Sequence, residues 1–293
     1  MSFLPPLPLD VALIGAGRVG TAVAALLAER GQRIVGVASR TRSSAHGSAG
    51  RLATEVFDLD SPVAADLYVI GTGSAAIASV TEQLAATAEL AGRVVVHLSG
   101  SDGIEPLSAA RAGGAHVCAL HPVQACPDVE AGIRNLPGST WGVTTSEGAG
   151  KWAADLVRLL NGDPVAVAEA DRVAWHAAAV VTSNGIAALL AAGEQILAGL
   201  QITDPVSVLS PLAKGTVANA TLGGGGAATL TGPVVRGEFD IVREHAAALE
   251  EVDTELRDLY MLVTKLIARV AIGSGRLIRS DADRLEKSLK DLR

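Results

Sequence analysis

The stretch Val11-Ala-Leu-Ile-Gly15-Ala-Gly17-Arg-Val-Gly20 constrains the fold more than any other part of the chain. Three glycines at G-x-G-x-x-G spacing stand directly behind a short apolar run and ahead of a helical one. Each has a mechanical job in a strand–turn–helix unit. Gly15 permits the tight turn, Gly17 allows close backbone approach, and Gly20 lets the helix pack against the strand. The spacing alone is weak, because glycine-rich turns are common. Here a strand precedes it, a helix from Arg18 to about Arg30 follows, and a second strand, Arg33 to Ala38, arrives on schedule. The free N–H groups and positive dipole end of such a helix suit a phosphate. Gly15, Ala16, Gly17, Arg18, Val19 and Gly20 therefore read as a dinucleotide cradle.

The end of the second strand chooses among dinucleotides. An NAD site places a carboxylate about 20 residues past the glycines, to accept from the ribose hydroxyls. This chain has Ser39-Arg40-Thr41-Arg42-Ser43 there. A guanidinium and hydroxyls bind a 2′-phosphate that a carboxylate would repel. Ser39, Arg40 and Thr41 thus point to NADP(H); the plainer reading is a solvated basic loop.

At 293 residues the chain can hold two domains with substantial cores. Hydrophobic residues make up 49% and charged residues 19%, which excludes a disordered chain and a coiled coil. A net charge of −7 argues against a nucleic-acid surface, so phosphate recognition falls to local arginines. Cys118 and Cys126 make neither a disulfide framework nor a metal motif, and no metal site is expected. A reduced cytoplasmic protein is the simplest expectation. The opening Met1-Ser-Phe-Leu-Pro-Pro lacks the features of a signal peptide. Residues 173–193 carry no charge and are long enough to span a bilayer. Their alanine content and polar His176, Thr182, Ser183 and Asn184 favour a buried interdomain or dimer helix instead, with no membrane partner.

Strands and helices alternate through the first half: strands at Val11–Gly15, Arg33–Ala38, a short one near Thr54–Phe57, Asp66–Gly71, Arg93–Leu98 and Ala115–Leu120. Two more, Thr140–Thr145 and Pro164–Val167, flank a helix at Glu147–Leu160. This rhythm predicts an α/β Rossmann-like, doubly wound and mostly parallel sheet over residues 1–168. Helical signals alone fill 169–293: about Ala170–Leu200, Asp204–Thr221, Phe239–Ala248, Val252–Ile272 and an amphipathic tail near Asp283–Leu292. That half reads as an all-α substrate and dimerisation domain. Polar clusters recur after successive strands, as Gly15–Gly20, Ser39–Arg42, Gly71-Thr72-Gly73-Ser74, Ser99-Gly100-Ser101-Asp102 and His121-Pro122-Val123-Gln124. In open α/β sheets ligands bind at that edge. Five clusters there look like a groove, with Thr72 and Gly73 on its cofactor side.

A nicotinamide cofactor carries hydride chemistry, so the protein must orient substrate and supply a proton. His176 on the long helix is one candidate acid. Ser183 returns to nearly the same face seven residues on, beside Asn184, so these residues could flank a small substrate. A structural histidine in an alanine-rich helix explains His176 equally well. His121 is the second candidate, or else a loop histidine bonded locally. Lys214 and Arg236 could anchor a substrate carboxylate or simply form helix salt bridges. Gly223–Gly226 reads as a hinge or a surface loop, and Cys118 as core.

These residues carry a resemblance. Gly15-x-Gly17-x-x-Gly20, Ser99-Gly100, His121-Pro122-x-Gln124, Trp175-His176-Ala-Ala-Ala-Val-Val-Thr-Ser183-Asn184 and Leu230-Thr-Gly-Pro-Val-Val-Arg236-Gly-Glu238 resemble a group of two-domain proteins. These join a Rossmann-like half to a C-terminal domain of unknown function. The group is similar to the 6-phosphogluconate dehydrogenase-like superfamily, alongside ketopantoate reductase, pyrroline-5-carboxylate reductase and deazaflavin-dependent NADP reductases. The resemblance implies NADP-linked reduction and a helical domain that pairs into homodimers. The hydroxyacid dehydrogenases of that superfamily carry Lys-x-x-x-Asn on the first long helix. With Asn184 as the asparagine, the lysine position is Val180, and His176 is the nearest replacement. Glu238 stands where aspartate is expected, and Ala125-Cys126 where a bulkier pair is usual.

The leading expectation is NADPH-dependent reduction of a small 2-oxo acid, ketopantoate first. His176 would act as acid, Asn184 and Ser99 as carbonyl orienters, His121 as a further catalytic candidate, and Ser183, Lys214 and Arg236 as substrate contacts. The alternatives are an imine or deazaflavin-linked reductase, which tolerates the missing lysine, and a non-catalytic NADP-binding protein.

Overall fold

A computed structural model describes residues 4–222 and 224–278, together with Ser280, Asp281 and Arg284. The strands are β1 (Asp10–Ile14), β2 (Arg33–Ala38), β3 (Leu67–Ile70), β4 (Val94–His97), β5 (His116–Pro122), β6 (Thr140–Thr145) and β7 (Asp163–Ala166). The helices interleaved with them are α1 (Arg18–Glu29), α2 (Arg42–Arg51), α3 (Ile77–Thr87), α4 (Ser108–Ala112), α5 (Val129–Asn135) and α6 (Gly150–Leu159). They are followed by α7 (Arg172–Gly199), α8 (Pro205–Leu222), α9 (Gly226–Thr229), α10 (Pro233–Arg236), α11 (Phe239–Val252) and α12 (Thr254–Gly273).

One seven-stranded sheet runs in the order β2-β1-β3-β4-β5-β6-β7, parallel except where β6 meets β5. Alternation along the strands sends side chains to two faces. Val11, Leu13, Leu67, Val69, Val94 and Val96 enter one core with α1 and α6, while Ala12, Ile14, Tyr68, Ile70 and Val95 enter the other with α3 and α4. Both faces are thus covered, as a parallel sheet requires. The chain leaves β1 for β2 on one side and returns to β3 on the other. That reversal opens a crevice at the carboxyl ends of β1 and β3, where ligands of such sheets bind.

The chain packs as two compact units, Met1–Ser183 and Asn184–Arg293, dividing inside α7. In the second unit Val234, Phe239, Val242, Ala268, Ala271 and Leu277 form the core. Regular structure among its described residues is all helical.

Several expectations need correction. Thr54–Phe57 is no strand: Val56 makes a single bridge to Val37, and a turn from Asp58 to Ser61 then bends the chain away. The helix expected from Glu147 starts at Gly150, because Gly148 sits at φ +80°, outside helical space. Helix α5 has no counterpart among the expected elements; it is seven residues long and capped by Asp128, whose Oδ1 accepts from Ala131 N at 2.7 Å. The rest of the chain does not bury α7, where Arg172 is the one buried residue. With the turn before it, Glu169–Gly199 is long and apolar enough to cross a membrane. Gly223 and, apart from Arg284, the expected tail at Asp283–Leu292 lie outside the described residues.

Candidate functional site

At the mouth of the crevice the glycines are required by contact. Gly15 has φ +96°, and a Cβ there would lie 2.7 Å from Thr72 N. A Cβ on Gly71 would meet Gly15 O at 2.8 Å, and one on Gly20 would meet the same oxygen at 2.9 Å. The turns after β1 and β3 therefore interlock backbone to backbone, and only glycine fits at these points. Gly17 caps α1 with no side-chain hydrogen bond, and no acidic residue stands in the first turn. The N–H groups of that turn are left for an anion. Thr72 Oγ1 is buried beside this turn without a partner among the described residues. An uncapped helix start, turns closed to a Cβ at Gly15, Gly20 and Gly71, and an orphaned hydroxyl fit a dinucleotide pyrophosphate.

Around this cradle Ala16, Val19, Ser39 and Thr72 are half-buried, while Gly17, Arg18, Arg40, Thr41 and Gly73 are exposed. Arg18 turns its guanidinium to Pro127 O at 3.1 Å. Arg40 and Arg42, at the end of β2 and the start of α2, have no carboxylate partner among the described residues.

The loop after β4 is held from four directions. His97 is fully buried, with Nε2 at 2.6 Å from Gly103 O, and its Nδ1 accepts from Ser99 N at 3.1 Å. Ser99 N must donate, so the ring proton sits on Nε2 and bonds Gly103 O. Burial lowers the His97 pKa and keeps the ring neutral. Arg172, at the start of α7 and fully buried, donates to Ser99 O (2.5 Å), Asp102 O (2.9 Å) and Gly142 O (3.1 Å). Glu169 accepts from Ile104 N (2.9 Å) and Glu105 N (3.3 Å). Asp102 Oδ2 accepts from Ser74 Oγ and Ser99 Oγ, both at 2.5 Å. Burial raises the Asp102 pKa, but the hydrogen bonds from the hydroxyls of Ser74 and Ser99 outweigh it and keep the carboxylate ionised.

This clamp brings the two candidate histidines together. His121, near the end of β5, and His176, on α7, stand edge to face with ring centroids 5.4 Å apart. Gly100 lies against both: a Cβ there would come within 2.4 Å of His176 Cδ2 and 2.8 Å of His121 Nε2. Burial, with Arg172 and His176 nearby, pushes the His121 pKa down to about 4, so the ring is neutral at physiological pH. Ser99, His121 and His176 thus gather at one loop. Ser183 and Asn184 are exposed further along α7, and Lys214 is exposed on α8. Arg236 is committed to Glu238 by two bonds, of 2.8 and 2.7 Å.

His97, Glu169, Arg172 and Trp175 escaped the sequence reading as site residues. Arg172 did carry a signal. A cation in the first turn of a long helix opposes the dipole there and needs a tertiary partner.

Residues 2–122 match the model of a Rossmann-like domain, and residues 139–267 match DUF2520, a domain of unknown function. Among curated proteins none matches the sequence. Solved structures share the fold. A provisionally assigned NADP oxidoreductase of Bacteroides fragilis is 24% identical with TM-score 0.75, over 89% of this chain and 98% of that one. A reductive aminase of Aspergillus terreus in complex with NADPH and ethyl-5-oxohexanoate is 19% identical with TM-score 0.65, over 94% and 99%. An imine reductase of Myxococcus stipitatus in complex with NADP+ is 15% identical with TM-score 0.60, over 91% and 95%. From its glycine cradle to its helical second half, the chain thus matches first a Rossmann-like domain and then a DUF2520 domain.

Proposed function

We propose that the protein is an NADPH-dependent reductase of a small molecule, acting on a C=N bond. The observation that carries this reading is the setting of His121, an imidazole packed against Gly100 and His176 whose burial lowers its pKa to about 4 and so keeps the ring neutral. A neutral imidazole donates a hydrogen bond well but surrenders its proton poorly. Carbonyl reduction develops an alkoxide, which needs an acid. An imine is basic enough to take its proton from water beforehand and asks only for orientation. Val180 in the expected lysine position fits the same reading, and the engagement of Arg236 with Glu238 weakens the case for a carboxylate anchor.

The residues that would hold NADPH are the backbone of Gly15, Ala16, Gly17, Val19 and Gly20 with Thr72 and Gly73, and Ser39, Arg40 and Thr41 for the 2′-phosphate. The chemistry supplied by the bound cofactor is a hydride for the substrate carbon, leaving NADP+. His121 would present its N–H to the lone pair that develops on the substrate nitrogen during reduction, beside Gly100, and Ser99, with its hydroxyl proton spent on Asp102, would accept from the N–H that the protonated substrate brings. Reduction of a 2-oxo acid such as ketopantoate is the second reading. It is favoured by His176, a half-exposed imidazole against Gly100 that could serve as the acid.

NADPH oxidation by the purified protein separates these readings, with cyclic imines, ketone–amine mixtures, ketopantoate and other 2-oxo acids as substrates. Turnover on C=N substrates that survives His176→Ala is expected. Turnover confined to 2-oxo acids and lost in His176→Ala would instead establish the second reading. Tight NADPH binding without turnover on any substrate would leave a cofactor-binding protein without catalysis.

We assign cofactor binding to residues 1–168, which also lend Ser99 and His121 to the substrate, and the remaining substrate contacts to 169–293, starting at the turn of α7 that carries Arg172, Trp175 and His176. We further propose a homodimer formed through the helices of the second half. Both cysteines are free, and the buried Cys118 thiol is pushed up to about 12 by desolvation. This fits a reducing compartment, and we propose the cytoplasm.

A further inference from the structure

Trp175 precedes His176 on α7, and its indole lies against β6, where a Cβ on Gly142 would come within 2.7 Å of Trp175 Nε1. The indole N–H donates to His121 Nδ1 at 3.1 Å. An indole nitrogen can only donate, so Nδ1 holds a lone pair toward it and the proton of the neutral ring belongs to Nε2. That Nε2 is the atom facing Gly100. Trp175 is itself placed by Arg172, one turn earlier on the same helix, whose guanidinium grips the carbonyls of Ser99, Asp102 and Gly142. Gly142 serves twice: its carbonyl receives Arg172, and its lack of a side chain admits the indole.

We infer that Trp175 is a positioning residue that holds His121 as the Nε2–H tautomer and so aims a donor at the space beside Gly100 and His176. Without the indole, Nδ1–H becomes accessible to the ring. Nε2 would then present a lone pair where the substrate nitrogen develops its own during reduction, or to the lone pair of an incoming carbonyl oxygen. What the aimed donor acts on rests on the proposed reductase reading; how the ring is held does not.

Long-range 1H–15N correlation spectra of the full-length 15N-labelled protein at pH 7 test the inference, with the His121 signals assigned by their loss in His121→Gln. Wild type should show an unprotonated Nδ1 and a protonated Nε2, and Trp175→Phe should shift both toward a tautomer mixture. The same variant should lose roughly tenfold in kcat/KM on a C=N substrate, about the worth of one hydrogen bond, with NADPH affinity unchanged. A protonated Nδ1 in wild type overturns the inference and needs no folded variant to show it. An unchanged tautomer in Trp175→Phe also overturns it. A shifted tautomer with undiminished turnover upholds the hold on His121 and overturns the donor assigned to it under the reductase reading.

Discussion

At the residue scale, His121 sets a pH window for stability. The folded protein keeps it neutral down to about pH 4, whereas an unperturbed histidine takes up its proton at 6.5. Between these values the unfolded chain binds more protons, so stability rises with pH through the window, is complete above 6.5 and is lost toward 4. The size is on the order of 3 kcal/mol, and the buried His97 adds in the same direction. Urea midpoints measured from pH 4.5 to 7.5 should climb, and His121→Gln should flatten the climb; a flat wild-type curve would contradict the geometry. Arg40 sets a second expectation. Arg40→Ala should weaken NADPH binding by roughly 1.5–3 kcal/mol, the range for hydrogen bonds to charged groups, with NADH binding nearly unchanged. Isothermal titration with both cofactors decides, and equal losses would show that Arg40 does not read the 2′-phosphate. His121 and His176 were legible as candidates because imidazoles are few and suited to proton work. Their meeting was not, since Arg172 reaches Ser99 across 73 residues and Trp175 reaches His121 across 54. No local pattern records such a bond.

Among the elements, the β1–α1 turn was the most legible piece, because its glycines answer to contacts close in sequence and one strand away. Gly15 illustrates the cost of change. Alanine there must hold φ +96° and bring a Cβ within 2.7 Å of Thr72 N, a backbone atom that cannot swing aside. Gly15→Ala should destabilise the fold by about 2 kcal/mol or more, combining backbone strain with overpacking, and should abolish NADPH binding by prising apart the β1 and β3 turns. Thermal unfolding with and without NADPH measures both. A variant that keeps the wild-type midpoint and its cofactor-induced rise would refute the interlock. Gly73 provides the contrast, because a Cβ there would meet nothing within 4 Å: Gly73→Ala should leave the unliganded midpoint nearly unchanged. Where an element's length or partner decides, the sequence was less informative. Thr54–Phe57 has strand-like residues but room for one bridge only, and α5 is too short to show a period.

At the scale of the whole molecule, the open question lies on α7 and α8. Val181 is 71% exposed and Leu212 69%, no α8 residue is buried, and α7 buries only Arg172. Apolar helix faces left this open mark an interface with protein or lipid. Length and freedom from charge alone do not separate those partners, since a dimer helix and a membrane helix share both. The polar groups along α7 favour protein: His176, Thr182, Ser183 and Asn184 would be costly in hydrocarbon. If two copies pair through these helices, charges at their centres will be desolvated without partners. Val181→Glu combined with Leu212→Glu should then weaken association by at least about 2 kcal/mol, the scale of a hot-spot residue, converting dimer to monomer at micromolar concentration. Sedimentation equilibrium reads the change, and circular dichroism should show the helices retained. A wild-type protein that sediments as a monomer, or that floats with phospholipid vesicles, would remove the dimer and give the same faces to another partner.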